Sequence, residues 1–260
     1  MNIVSERVAA LDAPQASRPG TVCGDPDLAH FIRTMSLVVP GRNSEDTPTA
    51  ISARGADALV AHSELISRLR DRSPEITVGP LAFDRQYWIA TGRPPHLPAR
   101  SGVLDQSKFV ETPASEEVAA STKPFGMGLY TSTGVFGTLG MWSCYLELNK
   151  GSTLFPTPWT IWRVSARPPA RVIEISSAAE WVEFASSAHR VEGGLLYPNW
   201  SLIADRWDGV HVTARAAAAI QGMIFMVDGH LIAPSYWDTE ATFWLRWVFD
   251  TIEFVDEVNG

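Results

Sequence analysis

The sequence predicts an α+β fold in which a mixed, mostly antiparallel sheet carries the second half of the chain and helices pack around it. Predicted strands cluster after residue 120, and the alternation that begins at Ala241 has the period of two that is typical of strands. In the first half, apolar residues recur instead at helical spacing. Nine of the ten tryptophans lie at or beyond Trp142, so the aromatic core is expected in the second half.

The composition limits the kinds of protein that this chain can be. With 260 residues, 45% of them hydrophobic, it is expected to fold as one large domain or two small ones. A net charge of −8 argues against general nucleic-acid binding, which depends on basic surfaces. The two cysteines, Cys23 and Cys144, show neither metal-ligand spacing nor a disulfide framework, and no metal is expected.

The sequence also predicts where the protein resides. Residues 1–11 contain acids and no apolar segment of signal-peptide length. A run of ~18 apolar residues, which a membrane-spanning helix requires, does not occur in the sequence. A cytoplasmic protein without a membrane segment is therefore predicted, and delivery into another cell stays open.

Three regions are predicted along the chain. Residues 1–26, which contain several prolines and glycines, are expected to form a flexible arm. Residues 27–119 are expected to form a helical and loop accessory region, and residues 120–260 the α+β region. The helices predicted in the accessory region are at 27–35, 49–72 and 112–117, with extended structure at 76–90. The later region is predicted to hold strands at 129–133, 141–148, 160–164, 170–175, 210–213, 241–247 and 252–255, and helices at 177–189, 197–207 and 214–220.

One candidate binding segment begins at a pair of glycines. Gly126 and Gly128 allow the backbone to approach a ligand or another strand closely, and a strand of small hydroxyl residues follows. Backbone amides there are suited to a flat carboxamide, and the hydroxyls of Thr131, Ser132 or Thr133 to a sugar. The alternative is a bulged strand whose hydroxyls pair with backbone.

The other candidate segment is acidic. Asp238 and Glu240 stand two residues apart, immediately before a stretch that alternates Thr242, Trp244 and Arg246 with apolar residues. If the extended backbone begins at the acids, both carboxylates share the Thr242 face. A rigidly aimed and partly desolvated carboxylate is suited to catalysis. The alternative is a pair of solvated acids that cap a core strand.

Taken together, the two segments resemble the ADP-ribosyltransferase family. In that family an early strand with a Leu-Tyr-His-Gly-Thr-like motif holds nicotinamide through its backbone, and a catalytic glutamate begins a later strand. Here the five residues from Leu129 to Thr133 match the first motif, and Glu240 matches the glutamate. The resemblance covers roughly residues 120–255 and implies a split sheet. Thr131 stands where the family has histidine or arginine, and Asp238 stands where the best-known bacterial toxins have Glu or Gln. The candidates for the family's middle motif are Trp142, Tyr145 and Tyr197.

The resemblance implies NAD as substrate and Glu240 as the group that stabilises an oxocarbenium-like ribose. It implies that Asp238 orients an acceptor, which is a protein, a nucleic acid, a small molecule or, in a glycohydrolase, water. The residues implied to bind NAD are Gly128, Leu129, Tyr130, Thr131, Ser132, Thr133, Trp237 and Trp244.

Two other functions remain open at this point. A tryptophan-rich β-domain can bind a carbohydrate or a protein without chemistry, although tryptophans spread over many segments favour a core role. A hydrolase with Asp238 and Glu240 as acid and base ranks last. Carboxylates two apart on one strand point the same way rather than across a scissile bond.

Overall fold

The structure is a computed structural model, and it describes residues 23, 25–36, 38, 48–92, 102–112, 120–135 and 138–259. Nearly all of the arm predicted at 1–26, and the helix predicted at 112–117 beyond its first residue, lie outside these residues. The described helices are α1 Pro26–Met35, α2 Pro48–Arg72, α3 Pro74–Thr77, α4 Met141–Leu148, α5 Ala178–Ser187, α6 Trp200–Ala204 and α7 Ala214–Ile220, with a 3-10 turn at Gln106–Lys108. The described strands are β1 Gln86–Ala90, β2 Leu129–Thr133, β3 Trp159–Ala166, β4 Val172–Ile175, β5 His189–Glu192, β6 Leu195–Pro198, β7 Gly209–Val212, β8 Phe225–Val227, β9 His230–Ile232, β10 Ala241–Trp244 and β11 Phe249–Val258.

The strands form two sheets, which confirms the α+β class and the mixed, mostly antiparallel sheet. The larger sheet has seven strands in the order β11-β3-β1-β2-β10-β7-β4, and only its β4–β7 pair is parallel. The smaller sheet has four strands in the order β5-β6-β9-β8, where β6 and β9 run parallel. The sheet order places β2 and β10, the two candidate segments, side by side in the middle of the larger sheet.

The chain before residue 120 is more closely built into the sheet than a helical and loop accessory region would be. Strand β1 pairs with both β3 and β2, so it occupies the interior of the larger sheet. Only part of the extended segment predicted at 76–90 is strand. Its first two residues belong to the short helix α3, Pro74–Thr77, and strand β1 begins only at Gln86. A boundary at residue 120 therefore does not separate the sheet from the rest of the described chain.

Helices α1 and α2 begin and end close to their predicted positions, and local chemistry explains why. The Asp25 carboxylate caps α1 by accepting the backbone N–H groups of Asp27 and Leu28. Asp27 in turn pairs with Arg68 and Arg72 of α2, which joins the two helices. These hydrogen bonds, that of Arg68 first, lower the pKa of Asp27 below its ordinary value.

The prediction of a strand at 141–148 is wrong, because this segment is helix α4. Gly140 precedes it with a φ of 93°, a conformation that favours glycine. The helix buries Met141, Cys144 and Leu146, and the side of α1 packs against it. A short apolar run fits a strand and a buried helix equally well, so only this tertiary contact decides.

The ends of several other helices and strands differ from the predicted ends by a few residues. Helix α5 ends at Ser187, and His189 starts β5 instead of ending the helix. Strand β6 takes Leu195–Pro198, which shortens the helical segment predicted at 197–207 to α6. Strand β10 ends at Trp244 rather than at Trp247. In the described part of the chain, no helix combines the length and apolar character needed to cross a membrane.

Candidate active site

The two candidate segments lie side by side in the structure. Strands β2 and β10 pair antiparallel, with Thr131 opposite Thr242 and Leu129 opposite Trp244. This register brings Glu240, the residue before β10, to the end of β2. The hydroxyls of Ser132 and Thr133 lie there, so both segments contribute to one group of polar side chains.

The Glu240 carboxylate is fully buried and bound by hydrogen-bond donors. The Ser132 hydroxyl lies 2.8 Å from Oε2, and the Thr133 hydroxyl lies 2.8 Å from Oε1. The Thr133 backbone N–H is also within 3.2 Å of both carboxylate oxygens. Each hydroxyl accepts a hydrogen bond from elsewhere, Ser132 from the Trp142 backbone N–H and Thr133 from the Gln86 amide. Their protons are therefore free to point to Glu240. A carboxylate surrounded in this way by donors alone is typical of the ionised form.

The third partner of Glu240 is a buried histidine. His211 Nε2 lies 3.1 Å from Glu240 Oε1, while Nδ1 lies 2.8 Å from Glu174 Oε1. Two carboxylates require both ring nitrogens to donate, so the geometry calls for an imidazolium. Burial by itself lowers the pKa of His211, but the hydrogen bonds and charges of Glu174 and Glu240 outweigh burial and raise it to about 9.

These residues form one continuous group, which we call the polar chain: Glu174, His211, Glu240, Ser132 and Thr133. Glu174 is its solvent end, because its side chain is 33% exposed whereas those of His211 and Glu240 are 0% exposed. On the other side, hydrogen bonds continue through Gln86 and Thr131 to the indole of Trp244. A buried charged pair of this kind is tolerated only when its hydrogen bonds are satisfied.

A cleft of about 680 Å³ adjoins β2, and we call it the aromatic cleft. Its wall includes four of the predicted binding residues in sequence, from Gly128 to Thr131. Thr239 and Ala241, the two chain neighbours of Glu240, also line it, but Glu240 itself does not. The aromatic residues that line the cleft are Trp88, Phe109, Phe125, Tyr130, Trp142 and Phe155, and its charged residues are Asp105, Lys108 and Lys123.

The predicted site residues thus separate into three groups. Gly128, Leu129, Tyr130 and Thr131 line the aromatic cleft. Ser132, Thr133 and Glu240 belong to the polar chain. The remaining predicted residues do not line the cleft, and they are Trp237, Trp244 and Asp238.

The two tryptophans are core residues. Trp237 and Trp244 are both 0% exposed, and each indole N–H has a protein acceptor, the Thr122 carbonyl and the Thr131 hydroxyl respectively. A ligand ring has no access to either face in this arrangement. Asp238 is half-buried, and its Oδ1 accepts a hydrogen bond of 2.8 Å from the Gln221 amide.

Tyr130 is engaged on several sides. Its ring stacks on Phe243 at 4.5 Å between centroids, and its hydroxyl donates to the Pro124 carbonyl at 2.7 Å. Burial raises the pKa of this phenol well above its ordinary value, so Tyr130 acts as a neutral wall of the cleft. The face on Phe243 is closed to a nicotinamide ring.

Sequence reasoning underrated three residues. The role of His211 appears only because β7 pairs with β10 and places it opposite Thr242. Glu174 reaches His211 through the parallel pairing of β4 with β7. Lys123 stands just before the glycine pair that opens the candidate binding segment, and only the structure shows that it lines the aromatic cleft.

Comparisons with known proteins give no relative for this chain: no family model, no curated protein and no solved structure matches it. Within the residues that the structure describes, no cluster of three His, Cys, Asp or Glu side chains is arranged to hold a metal ion.

Proposed function

We propose that this chain binds NAD in the aromatic cleft, cleaves the bond between nicotinamide and ribose, and transfers ADP-ribose to an acceptor. The observation that carries the proposal is the Glu240 carboxylate, which donors from Ser132, Thr133 and His211 hold at the end of β2. The same strand contributes residues to the cleft wall. The acceptor is a protein, a nucleic acid, a small molecule or water.

The proposed reaction uses the negative charge of Glu240. The bond between ribose C1′ and the nicotinamide nitrogen breaks heterolytically, and its electron pair leaves with the ring, so that nicotinamide departs neutral. Positive charge then spreads over ribose C1′ and the ring oxygen, where a preorganised carboxylate stabilises it. The acceptor supplies an electron pair to C1′ and releases a proton. Fixed donors keep the carboxylate in place, so little reorganisation is needed during the step.

This reaction requires a movement around Glu240, because its side chain is 0% exposed. Its neighbours Thr239 and Ala241 line the cleft, and the ribose would have to reach the carboxylate between them and Ser132. Opening of this kind is common in enzymes that exclude water during the chemical step.

The burial of Glu240 also favours a second function, in which the cleft binds a ligand without chemistry. In that case the polar chain is structural, and it joins β2, β10, β7 and β4 through hydrogen bonds. The two functions share the cleft and differ in whether Glu240 meets the ligand.

Nicotinamide release from NAD, measured with the full chain, separates the two functions. If Glu240 is catalytic, Glu240→Gln should lower turnover by about 10²–10³-fold, since one preorganised electrostatic contact is worth ~3–4 kcal/mol in the transition state. NAD affinity should change much less, because ground-state ribose carries no such charge. Asp238→Asn should affect transfer to the acceptor more than cleavage by water.

The controls take the folding role of Glu240 into account. Glu240→Asp keeps the charge and tests the same role if the glutamine variant unfolds at the assay temperature. NAD binding without nicotinamide release by the wild type would support the binding function. Unchanged release by folded Glu240→Gln would exclude Glu240 as the catalytic carboxylate, and absence of binding at millimolar NAD would refute the proposal.

A further inference from the structure

Lysines are scarce in this chain, and their distribution is uneven. The sequence contains only Lys108, Lys123 and Lys150, against 18 arginines. Two of the three, Lys108 and Lys123, line the aromatic cleft. A cleft that collects lysines in a chain with net charge −8 has a local charge opposite to that of the whole protein.

The ammonium of Lys123 is held by aromatic faces. Its Nζ lies 5.7 Å from the ring centroid of Tyr130 and 5.5 Å from that of Trp237. Such contacts attract a cation through the ring quadrupole but do not replace a hydrogen-bond acceptor. Among the residues that the structure describes, no oxygen accepts a hydrogen bond from this ammonium and no carboxylate forms an ion pair with it.

Among the described residues, the other charges near the cleft compensate that of Lys123 only in part. Lys108 and Asp105, which both line the cleft, attract each other. Asp238 attracts Lys123 from outside the lining, but its Oδ1 is engaged by the Gln221 amide. Desolvation lowers the pKa of Lys123, and the charge of Asp238 opposes this only in part. A cation in this position is stabilised when an anion binds next to it.

The aromatic walls of the cleft define the rest of the ligand. Trp142 and Phe155 meet edge to face at 5.3 Å on the cleft wall, and Trp142 also stacks on Tyr145. Walls of this kind favour planar rings, which bury large areas against aromatic side chains. The cleft therefore offers an apolar surface for a ring together with a cation that forms no ion pair with any described carboxylate.

We propose that the aromatic cleft binds a ligand that joins a planar aromatic ring to an anionic group, and that Lys123 binds the anion. The anion is either a phosphate of a nucleotide or the carboxylate of an aromatic acid, both of which accept hydrogen bonds from an ammonium. This inference uses the cleft of the proposed function, and it holds whether or not the bound molecule is cleaved.

Two matched pairs of small molecules test the proposal by calorimetry with the full chain. ADP and adenosine differ in the phosphates, while nicotinic acid and nicotinamide differ in the carboxylate. In the wild type, the anionic member of one pair should bind about ten- to a hundredfold more tightly than the neutral member. This ratio corresponds to the usual free energy of a hydrogen bond to a charged group. Lys123→Met should abolish this preference, and Lys123→Arg should retain most of it. The pair that responds identifies the source of the anion.

The matched control is Lys150→Met. Lys150 also lies over an aromatic ring, 5.9 Å from that of Trp159, but it does not line the cleft, so its loss should leave both preferences unchanged. If Lys123→Met does not fold, the pH dependence of the wild type replaces it: the preference should fall as pH rises toward the lowered pKa of Lys123, and Lys123→Arg should not show this fall.

Two outcomes would overturn the inference. One is a wild type that binds the neutral and anionic members of both pairs equally, and the other is an anion preference that survives in Lys123→Met. The proposed function fails separately. A protein that binds ADP through Lys123 and releases no nicotinamide from NAD supports this inference and refutes the cleavage.

Discussion

The polar chain and the aromatic cleft each hold a cationic side chain, and the surroundings of the two cations are opposite. His211 donates to Glu174 on one side and Glu240 on the other, at 2.8 and 3.1 Å. Lys123 faces two aromatic rings and a cleft. The pKa of His211 is raised because its partners are part of the fold, and that of Lys123 is lowered because the charge of Asp238 compensates its burial only in part. A cation that the fold already pairs stabilises structure, whereas an incompletely compensated cation in a cleft is suited to a ligand.

The largest expected effect is on stability, from breaking the polar chain. Glu240→Gln leaves the His211 imidazolium with one carboxylate and turns an amide toward the N–H of Thr133, which is already a donor. Removing one partner of a buried ion pair typically costs ~3–5 kcal/mol in the free energy of unfolding. Urea denaturation measures the loss. Glu253→Gln on β11, where the side chain is exposed, is the control and should stay within ~0.5 kcal/mol of wild type.

A variant Glu240→Gln as stable as the wild type would contradict the comparison. It would mean that His211 is neutral in the fold and that the polar chain is held by neutral hydrogen bonds.

The next effect is the pH dependence of stability that His211 contributes. Its pKa of about 9 in the fold lies above the ordinary value of 6.5, so the folded state binds the proton more tightly than the unfolded state. This stabilisation is complete below pH 6.5 and is lost as pH rises through 9, with a total on the order of 3 kcal/mol from ~1.4 kcal/mol per pH unit. Denaturation at pH 6 and at pH 10 should show this difference in the wild type. The difference should shrink in His211→Gln, and a dependence equal in both would assign it to other groups.

A smaller effect on stability is expected from alanine variants of two glycines, one in each region, that have similar backbone conformations. Gly140 and Gly126 have φ values of 93° and 88°. A Cβ at Gly140 would lie 2.8 Å from both Cβ and Oγ of Ser132, whereas a Cβ at Gly126, in the cleft wall, would meet nothing within 4 Å. Both alanine variants carry the backbone cost of positive φ, and Gly140→Ala should lose about 1–3 kcal/mol more through overpacking. Thermal denaturation gives the two losses, and equal losses would mean that Ser132 can shift.

The smallest expected effect concerns the charge near Lys123. Asp238→Asn removes the carboxylate that attracts Lys123 without touching the cleft lining. The potential in the cleft becomes more positive, so the affinity for ADP should rise severalfold at low ionic strength, and the gain should shrink as salt screens the charge. Calorimetry at about 0.02 and about 0.5 M salt measures both values, since screening lengths differ severalfold between them. Weaker ADP binding would show that Asp238 positions Lys123 rather than competing with the anion.

Patterns within a few residues determined much of the fold. The small hydroxyl residues after Leu129 and the alternation after Glu240 predicted strands β2 and β10, and helical spacing at 49–72 predicted α2. These signals are local because capping groups and alternating side chains act over one or two turns or a few strand positions. The sequence also singled out Glu240 and the hydroxyls at the end of β2, through a resemblance to enzymes with a glutamate at this place.

Contacts between distant residues decided the rest. The Thr133–Glu240 hydrogen bond joins residues 107 positions apart, and His211 reaches Glu240 only through strand pairing. No local pattern distinguishes helix from strand at 141–148, and the packing of α4 against α1 made it a helix. Burial is likewise a property of the whole fold, which is why two expected ligand-binding tryptophans, Trp237 and Trp244, became core while Lys123 became part of a cleft. The free energy of a charge depends on which groups surround it, and only the tertiary structure brings those groups together.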